Sequence, residues 1–249
     1  MNIGLYQSAA SLAALERWQD NVSQNITSAQ TTGYRKRTIE FSTETAGEVH
    51  PDSHSKLGQD AGMPAVFPKT SAGINYISGE TMPTRRELDI AIQGEGFFEI
   101  KLPDGTMGYT RSGEFRLRPD RTLVTSGGLE VMNSNGDPFV LLPGGGGINV
   151  NQDGTLFQGS LALGKLSIQK FANTAALRPT SGGMFTAGDG AGMSAVEEPD
   201  LMQGYLEQSN VQPLREMVDL VVISRAYEAN QKMITTIDQQ MQKALEALG

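Results

Sequence analysis

The C-terminal stretch Leu220-Val-Val-Ile223-Ser-Arg-Ala-Tyr227-Glu-Ala-Asn230-Gln-Lys-Met-Ile234-Thr-Thr-Ile237-Asp-Gln-Gln-Met241-Gln-Lys-Ala244-Leu-Glu-Ala-Leu248 carries the strongest periodic signal in the chain. Leu220, Ile223, Tyr227, Asn230, Ile234, Ile237, Met241, Ala244 and Leu248 recur at alternating steps of three and four, with Asn230 the single polar member. Sustained over about four heptads, that rhythm describes a coiled-coil seam rather than one face of a globular core. A lone Asn in such a seam commonly fixes register at some cost in stability, which gives Asn230 an expected role. Pro213 suits a first helical turn, where its missing N–H has no intrahelical partner, and Asn210 just upstream reads as a cap. A helix from Pro213 to Leu248 would be about 54 Å long. Part of it must therefore find a partner beyond the middle of the chain.

Breaker residues mark where this helical regime stops. Of 29 glycines and 11 prolines, all but three fall between Gly33 and Gly204, so both ends are almost free of them. At the N-terminal end Leu5, Leu12, Leu15, Val22, Ile26 and Ala29 follow a three-four rhythm in which Ser8 and Gln19 are the polar interruptions, which predicts an amphipathic helix closed by Gly33. Neither end shows an obvious bundle partner within the chain. Both helices are therefore expected to complete their buried faces against another copy or partner.

In the middle the period changes to alternation. Leu88, Ile90 and Ile92 point one way before Gly94-Glu95-Gly96, then Phe98 and Ile100 precede the turn Pro103-Asp104-Gly105. Turn signals every eight to twelve residues or so continue past Phe115, Leu123, Val131, Val150 and Ile168, the pattern of an all-β domain. Residues 42–72 are polar, rich in turn formers and aperiodic, and read as an extended linker or partly disordered arm. The expected fold class is α+β: a central all-β domain flanked by long N- and C-terminal helices that pair in a coiled-coil-like assembly. The expected divisions are an assembly helix over 1–32, an arm over 33–74, a β domain over 75–204 and a C-terminal helix over 205–249.

Composition removes whole classes of function. Twenty Lys and Arg against 28 Asp and Glu leave a net charge of −8, the wrong sign for binding along nucleic acid. The absence of cysteine excludes disulfides, thiolate metal sites and cysteine nucleophiles. No cleaved secretory signal or membrane-spanning stretch is visible. His50-Pro-Asp-Ser-His54 holds both imidazoles of the chain, but Pro51 breaks the helix that would align them, so no metal site is expected. Asn149-Val-Asn151-Gln-Asp153-Gly154 resembles half of an EF-hand loop but lacks its closing glutamate, and a hairpin turn accounts for it better. Gly144 to Gly147 and Gly94-Glu95-Gly96 lack the context of phosphate or dinucleotide loops. Glu197-Glu198 reads as solvated loop charge, and Arg35-Lys36-Arg37 allows at most a local anionic contact. No catalytic residue, metal ligand or cofactor is assigned.

Four segments taken together resemble one family. Asn25-Ile-Thr-Ser-Ala-Gln-Thr31-Thr-Gly33-Tyr34-Arg35 is similar to the N-terminal signature of bacterial flagellar axial proteins, the rod and hook components, although Thr27-Ser28 departs from its usual Ala-Asn. The others are Leu88-Asp-Ile-Ala-Ile-Gln-Gly94-Glu-Gly96-Phe97-Phe98, then Tyr109-Thr-Arg-Ser-Gly-Glu-Phe115 with Leu123-Val-Thr-Ser-Gly-Gly128, and Glu207-Gln-Ser-Asn210-Val running into Glu216-Met-Val and Arg225-Ala-Tyr227-Glu. Their order covers nearly the whole chain.

The resemblance implies a structural subunit of the basal-body rod that polymerises through its terminal helices into a hollow tube. It implies export by the flagellar type III apparatus without a cleaved signal. The expected partners are further copies and neighbouring rod and hook proteins, with no nucleic acid and no membrane insertion. One β domain in 249 residues points to a longer rod protein, proximal or distal, with the compact length leaning to the proximal. The residues expected to serve self-assembly are Leu12, Leu15, Trp18, Val22, Asn25, Ile26, Thr31, Gly33 and Tyr34 at one end. At the other they are Leu220, Ile223, Tyr227, Asn230, Ile234, Ile237 and Met241. A coiled-coil adhesin or adaptor forming a closed oligomer is the alternative. A secreted carbohydrate-active enzyme with paired acids ranks below it.

Overall fold

The computed structural model describes residues 3–49 and 63–246. They form two compact units. One unites 1–26, 37–73 and 213–249; the other unites 27–36 with 74–212.

The first unit is built on two helices, α1 (Ile3–Thr27) and α2 (Pro213–Glu246). Two strands, β1 (Arg37–Val49) and β2 (Met63–Ile74), form a sheet of their own. Both strands lie within the expected arm. Their described side chains are half-buried or exposed, and strands that show no fully buried face among the described residues give no apolar alternation to read from sequence. His50 and His54 lie outside the described residues.

The expectation that the end helices lack a partner within the chain is overturned. Leu15 and Val22 of α1 share a buried cluster with Ile223 of α2, joined by the half-buried Trp18, Ile26, Leu220, Ala226 and Tyr227. Asn25 meets Glu216, while Ser8 meets Met233, so the helices run antiparallel. Periodicity locates a buried stripe but cannot say which surface covers it, and here part of the cover lies at the opposite end of the same chain.

The second unit is all β apart from two single-turn 3-10 segments. Its first strands are β3 (Thr81–Pro83), β4 (Ile90–Gln93), β5 (Phe97–Lys101), β6 (Met107–Thr110), β7 (Phe115–Leu117), β8 (Leu123–Thr125) and β9 (Glu130–Val131). A hairpin sheet follows from β10 (Ile148–Val150), β11 (Thr155–Gln158) and β12 (Leu161–Lys165). The unit closes with β13 (Ile168–Phe171), β14 (Leu177–Pro179), β15 (Met184–Ala187), β16 (Met193–Ala195), β17 (Asp200–Gln203) and β18 (Tyr205–Glu207). The main sheet runs β14-β15-β6-β5-β9-β8-β7, with β13 bridging β5 to β16. Two further antiparallel pairs return the end of the unit to its beginning: β17 lies on β4 and β18 on β3. The expected boundary at 204 falls just before β18.

Alternation along β5 explains the core. Phe98 and Ile100 enter the larger cluster, which holds Ile90, Phe115, Leu123, Phe139, Leu156 and Leu201, while Phe97 enters a second cluster with Tyr109, Leu177 and Phe185. Phe98 and Phe115 meet edge to face at 5.1 Å between centroids. The expected turns are in place. Gly94 and Gly96 join β4 to β5 at positive φ, and Asp153-Gly154 closes the β10–β11 hairpin rather than half an EF-hand.

Candidate assembly surface and its anchors

α2 buries very little of itself. Only Glu216 and Ile223 of its 34 residues are fully buried. The sequence-predicted seam is nonetheless its better-covered stripe: Leu220, Tyr227, Asn230, Ile234 and Ile237 are half-buried beside Ile223, whereas Met241 is exposed. On α1, Leu15 and Val22 are buried, Leu12, Trp18 and Ile26 half-buried, and Trp18 lies edge-on to Phe41 at 5.5 Å. Asn230 donates its amide to the carbonyl of Ala226 in its own helix.

A second apolar stripe escaped the seam reading. Leu214, Met217, Val218, Val221 and Val222 are exposed by 48 to 78%. At about 100° per residue, Val218 and Val221 lie on the opposite side of the helix from Ile223. The first turns of α2 therefore carry two apolar faces, of which one is covered. The doublets Met217-Val218 and Val221-Val222 were the available signal, masked because the three-four seam already explained the helix.

Asn25 shows why an amide belongs in its motif. It is buried, its Nδ2 donates to the carbonyl of Arg37 at 2.9 Å and to Glu216 Oε2 at 3.0 Å, and its Oδ1 accepts from the Arg37 N–H at 2.9 Å. A carboxylate could accept but not donate, so only Asn or a longer amide satisfies the backbone and Glu216 together. Glu216, fully buried, is the partner that sequence reading had quoted without assigning.

Thr31, Gly33 and Tyr34 do not join the helical cluster; they belong to the β unit. Thr31 builds a turn by accepting from Tyr34 N–H and donating to the Ser28 carbonyl. Gly33 has φ +68°, donates to the Glu207 carbonyl at 2.8 Å, and would place a Cβ 2.3 Å from the Ser112 nitrogen. Both the backbone conformation and the available space require glycine. Tyr34 is buried.

Next to this turn, three buried charges anchor the β unit. Arg35 Nη1 pairs with Glu207 Oε1, which also accepts from the Gly79 N–H. Arg111 Nε approaches Glu207 Oε2 at 3.1 Å, an ionic contact without hydrogen-bond alignment. The anionic contact allowed for Arg35-Lys36-Arg37 is thus made within the chain at Arg35.

Asn210 is not a helix cap. Its Oδ1 accepts from Lys36 N–H, and its Nδ2 donates to the carbonyls of Asn75 and Ile77. α2 begins at Pro213, so the capping position is Gln212, and Asn210 instead ties three segments of the β unit together.

Comparison with known proteins finds family models that match the C-terminal stretch and the middle of the chain. Residues 202–247 match the family described as flagellar basal body rod FlgEFG protein C-terminal. Residues 91–160 match the flagellar hook protein FlgE/F/G D1 domain. The chain is 31% identical to the flagellar basal-body rod protein FlgG of Borreliella burgdorferi over 94% of each sequence. It is 30% identical to the rod protein FlgF of Caulobacter vibrioides over 100% of this chain and 99% of the relative. With FlgG of Agrobacterium fabrum the identity is 33% over 88% of each.

Proposed function

The chain belongs to the family of flagellar basal-body rod proteins, and from that premise we propose how it works as a structural subunit of the rod. The family is structural, so neither the carbohydrate-active reading nor the adhesin reading is carried further. The observation that carries the mechanism is the double-faced start of α2. One apolar stripe is covered by α1; the other, Leu214 to Val222, is exposed over at least two turns. A subunit that must bind neighbours through its ends needs such a surface, because apolar area removed from water supplies most of the association free energy.

In this reading the terminal helices of successive copies, and of adjoining rod and hook proteins, pack in a coiled-coil-like manner to form a tube wall. The residues Leu12, Leu15, Trp18, Val22, Ile26, Leu220, Ile223 and Tyr227 hold each helix pair in shape, with Asn230, Ile234, Ile237 and Met241 extending it. Asn25, Thr31, Gly33 and Tyr34 set the path of the chain after α1. The proposed parts are an assembly helix over 1–32, an arm over 33–74, a β domain over 75–204 and a C-terminal helix over 205–249. Delivery through the flagellar type III export apparatus, without a cleaved signal, fits this role. Among the described residues no helix is long and apolar enough to cross a membrane.

Electron microscopy of the purified protein at high concentration tests the reading. Open-ended tubes or filaments are expected, and small closed rings or bundles at every concentration would overturn it.

A further inference from the structure

The β unit contains a cavity of about 290 Å³ whose wall includes Arg35, Tyr76, Glu95, Arg111 and Lys170. Its charges do not balance. Arg35 and Arg111 share the one carboxylate of Glu207, and Lys170 adds an exposed third cation. Glu95 is the only acid in the wall among the described residues; it is exposed, and its field reaches Arg111.

The hydrogen bonding is incomplete as well. Arg111 is 3% exposed and its Nη2 donates to the Gly94 carbonyl and, at 3.2 Å, to Ser78 Oγ, both on the same wall. Arg111 Nη1 and Arg35 Nε have no hydrogen-bond partner among the described residues. A buried charged donor without an acceptor is costly, so the site is poised for one. Burial pushes the Arg111 guanidinium down to about 10, with the nearby Glu207 opposing the shift, so it still carries its charge at neutral pH. Burial likewise raises Tyr76 to about 12 and keeps its phenol neutral, so it brings no competing negative charge.

We propose that this cavity binds one compact oxyanion, held by Arg111 inside and Lys170 at the rim. A free phosphate and the carboxylate of a side chain on a neighbouring copy share the required chemistry: a flat or tetrahedral set of oxygens that accepts from a guanidinium fork. Only the second source rests on the assembly reading.

The test is calorimetric titration of the full-length protein with inorganic phosphate at constant ionic strength. Saturable binding of one phosphate per chain is expected, weakened several-fold in Lys170→Gln and lost in Arg111→Gln. In Glu95→Gln it should tighten, because that variant removes the internal competitor. Lys170 and Glu95 are exposed, so their variants carry the test even if Arg111→Gln does not fold. Assembled protein that no longer takes up phosphate identifies a neighbour's carboxylate as the occupant, and assembled protein that still does identifies the free anion. Binding that is absent, that ignores all three replacements, or that appears only in Glu95→Gln overturns the proposal, the last because Glu95 would then be the pocket's own occupant.

Discussion

The two units solve the same problem, burying apolar surface, to very different extents. Among the described residues, the β unit gathers fourteen buried hydrophobic residues into its main cluster, whereas the helical unit gathers three. Four antiparallel returns, β17 to β4, β18 to β3, β15 to β6 and β13 to β5, satisfy the β unit from within its own sequence. The helical unit has two long helices with a thin shared seam and a two-stranded ribbon. The contrast teaches that this chain keeps its larger apolar core in one unit and its long uncovered helical stripe in the other.

The most damaging challenge to that contrast is the double substitution Val218→Asp with Val221→Asp. Charges on the exposed α2 stripe cannot be desolvated without partners, so assembly should be abolished while the melting of the β unit is unchanged. Sedimentation and electron microscopy on one side, and thermal unfolding on the other, read the two halves separately. Assembly that survives would mean that the exposed stripe is not an interface.

Glu207→Ala should strike the other half. It leaves Arg35 and Arg111 buried without their carboxylate, which costs about 3–5 kcal/mol for a broken buried pair. Denaturant unfolding should show the loss in the β unit, with the midpoint shifted and the slope kept.

Asn25→Ala removes three hydrogen bonds in the helical unit and leaves Glu216 without its amide donor. A loss of about 1–3 kcal/mol is expected there. Fluorescence of Trp18, the only tryptophan, reports it directly through the helix pair. No change in the denaturation of that signal would show that the pair does not depend on the amide.

The smallest expected effect is one of pH. Hydrogen bonds from the Thr106 hydroxyl and N–H hold Asp104 below the usual carboxylate range, and the N–H groups of Thr122 and Thr155 do the same for Asp120 and Asp153. A depressed folded pKa means stability that is present above the unfolded value, about 4, and lost as pH falls through the folded one. The β unit should therefore melt slightly lower in acid, and the triple Asp→Asn variant should show a shallower fall over the same range. All three carboxylates are exposed at turns, so the difference should be small.

Much of this contrast could be read from the residues. The three-four steps from Leu220 to Met241 located the covered stripe of α2, and the alternation through Ile90, Ile92, Phe98 and Ile100 located the β core. Two kinds of feature stayed hidden. Antiparallel pairing of α1 with α2 joins residues about two hundred positions apart, and one-dimensional periodicity carries no information on which stripe meets which. Likewise Asn25 with Glu216, and Arg35 with Glu207, are polar pairs whose members look like ordinary surface residues until the fold removes them from water. Asn210 misled for a related reason: its residue type suits a helix cap, yet the backbone groups it serves come from segments that only the fold brings together.

The scant burial of α2 also bears on when a filament can begin. Two free subunits that meet must each immobilise a long helix before either gains a full set of contacts, so the first productive encounter is rare. A subunit arriving at an existing end finds its template already rigid and has only its own helix to order. Growth is then expected to be seeded, with a lag that shortens at high concentration and disappears when preformed ends are added, so that new subunits join existing ends before they start filaments of their own.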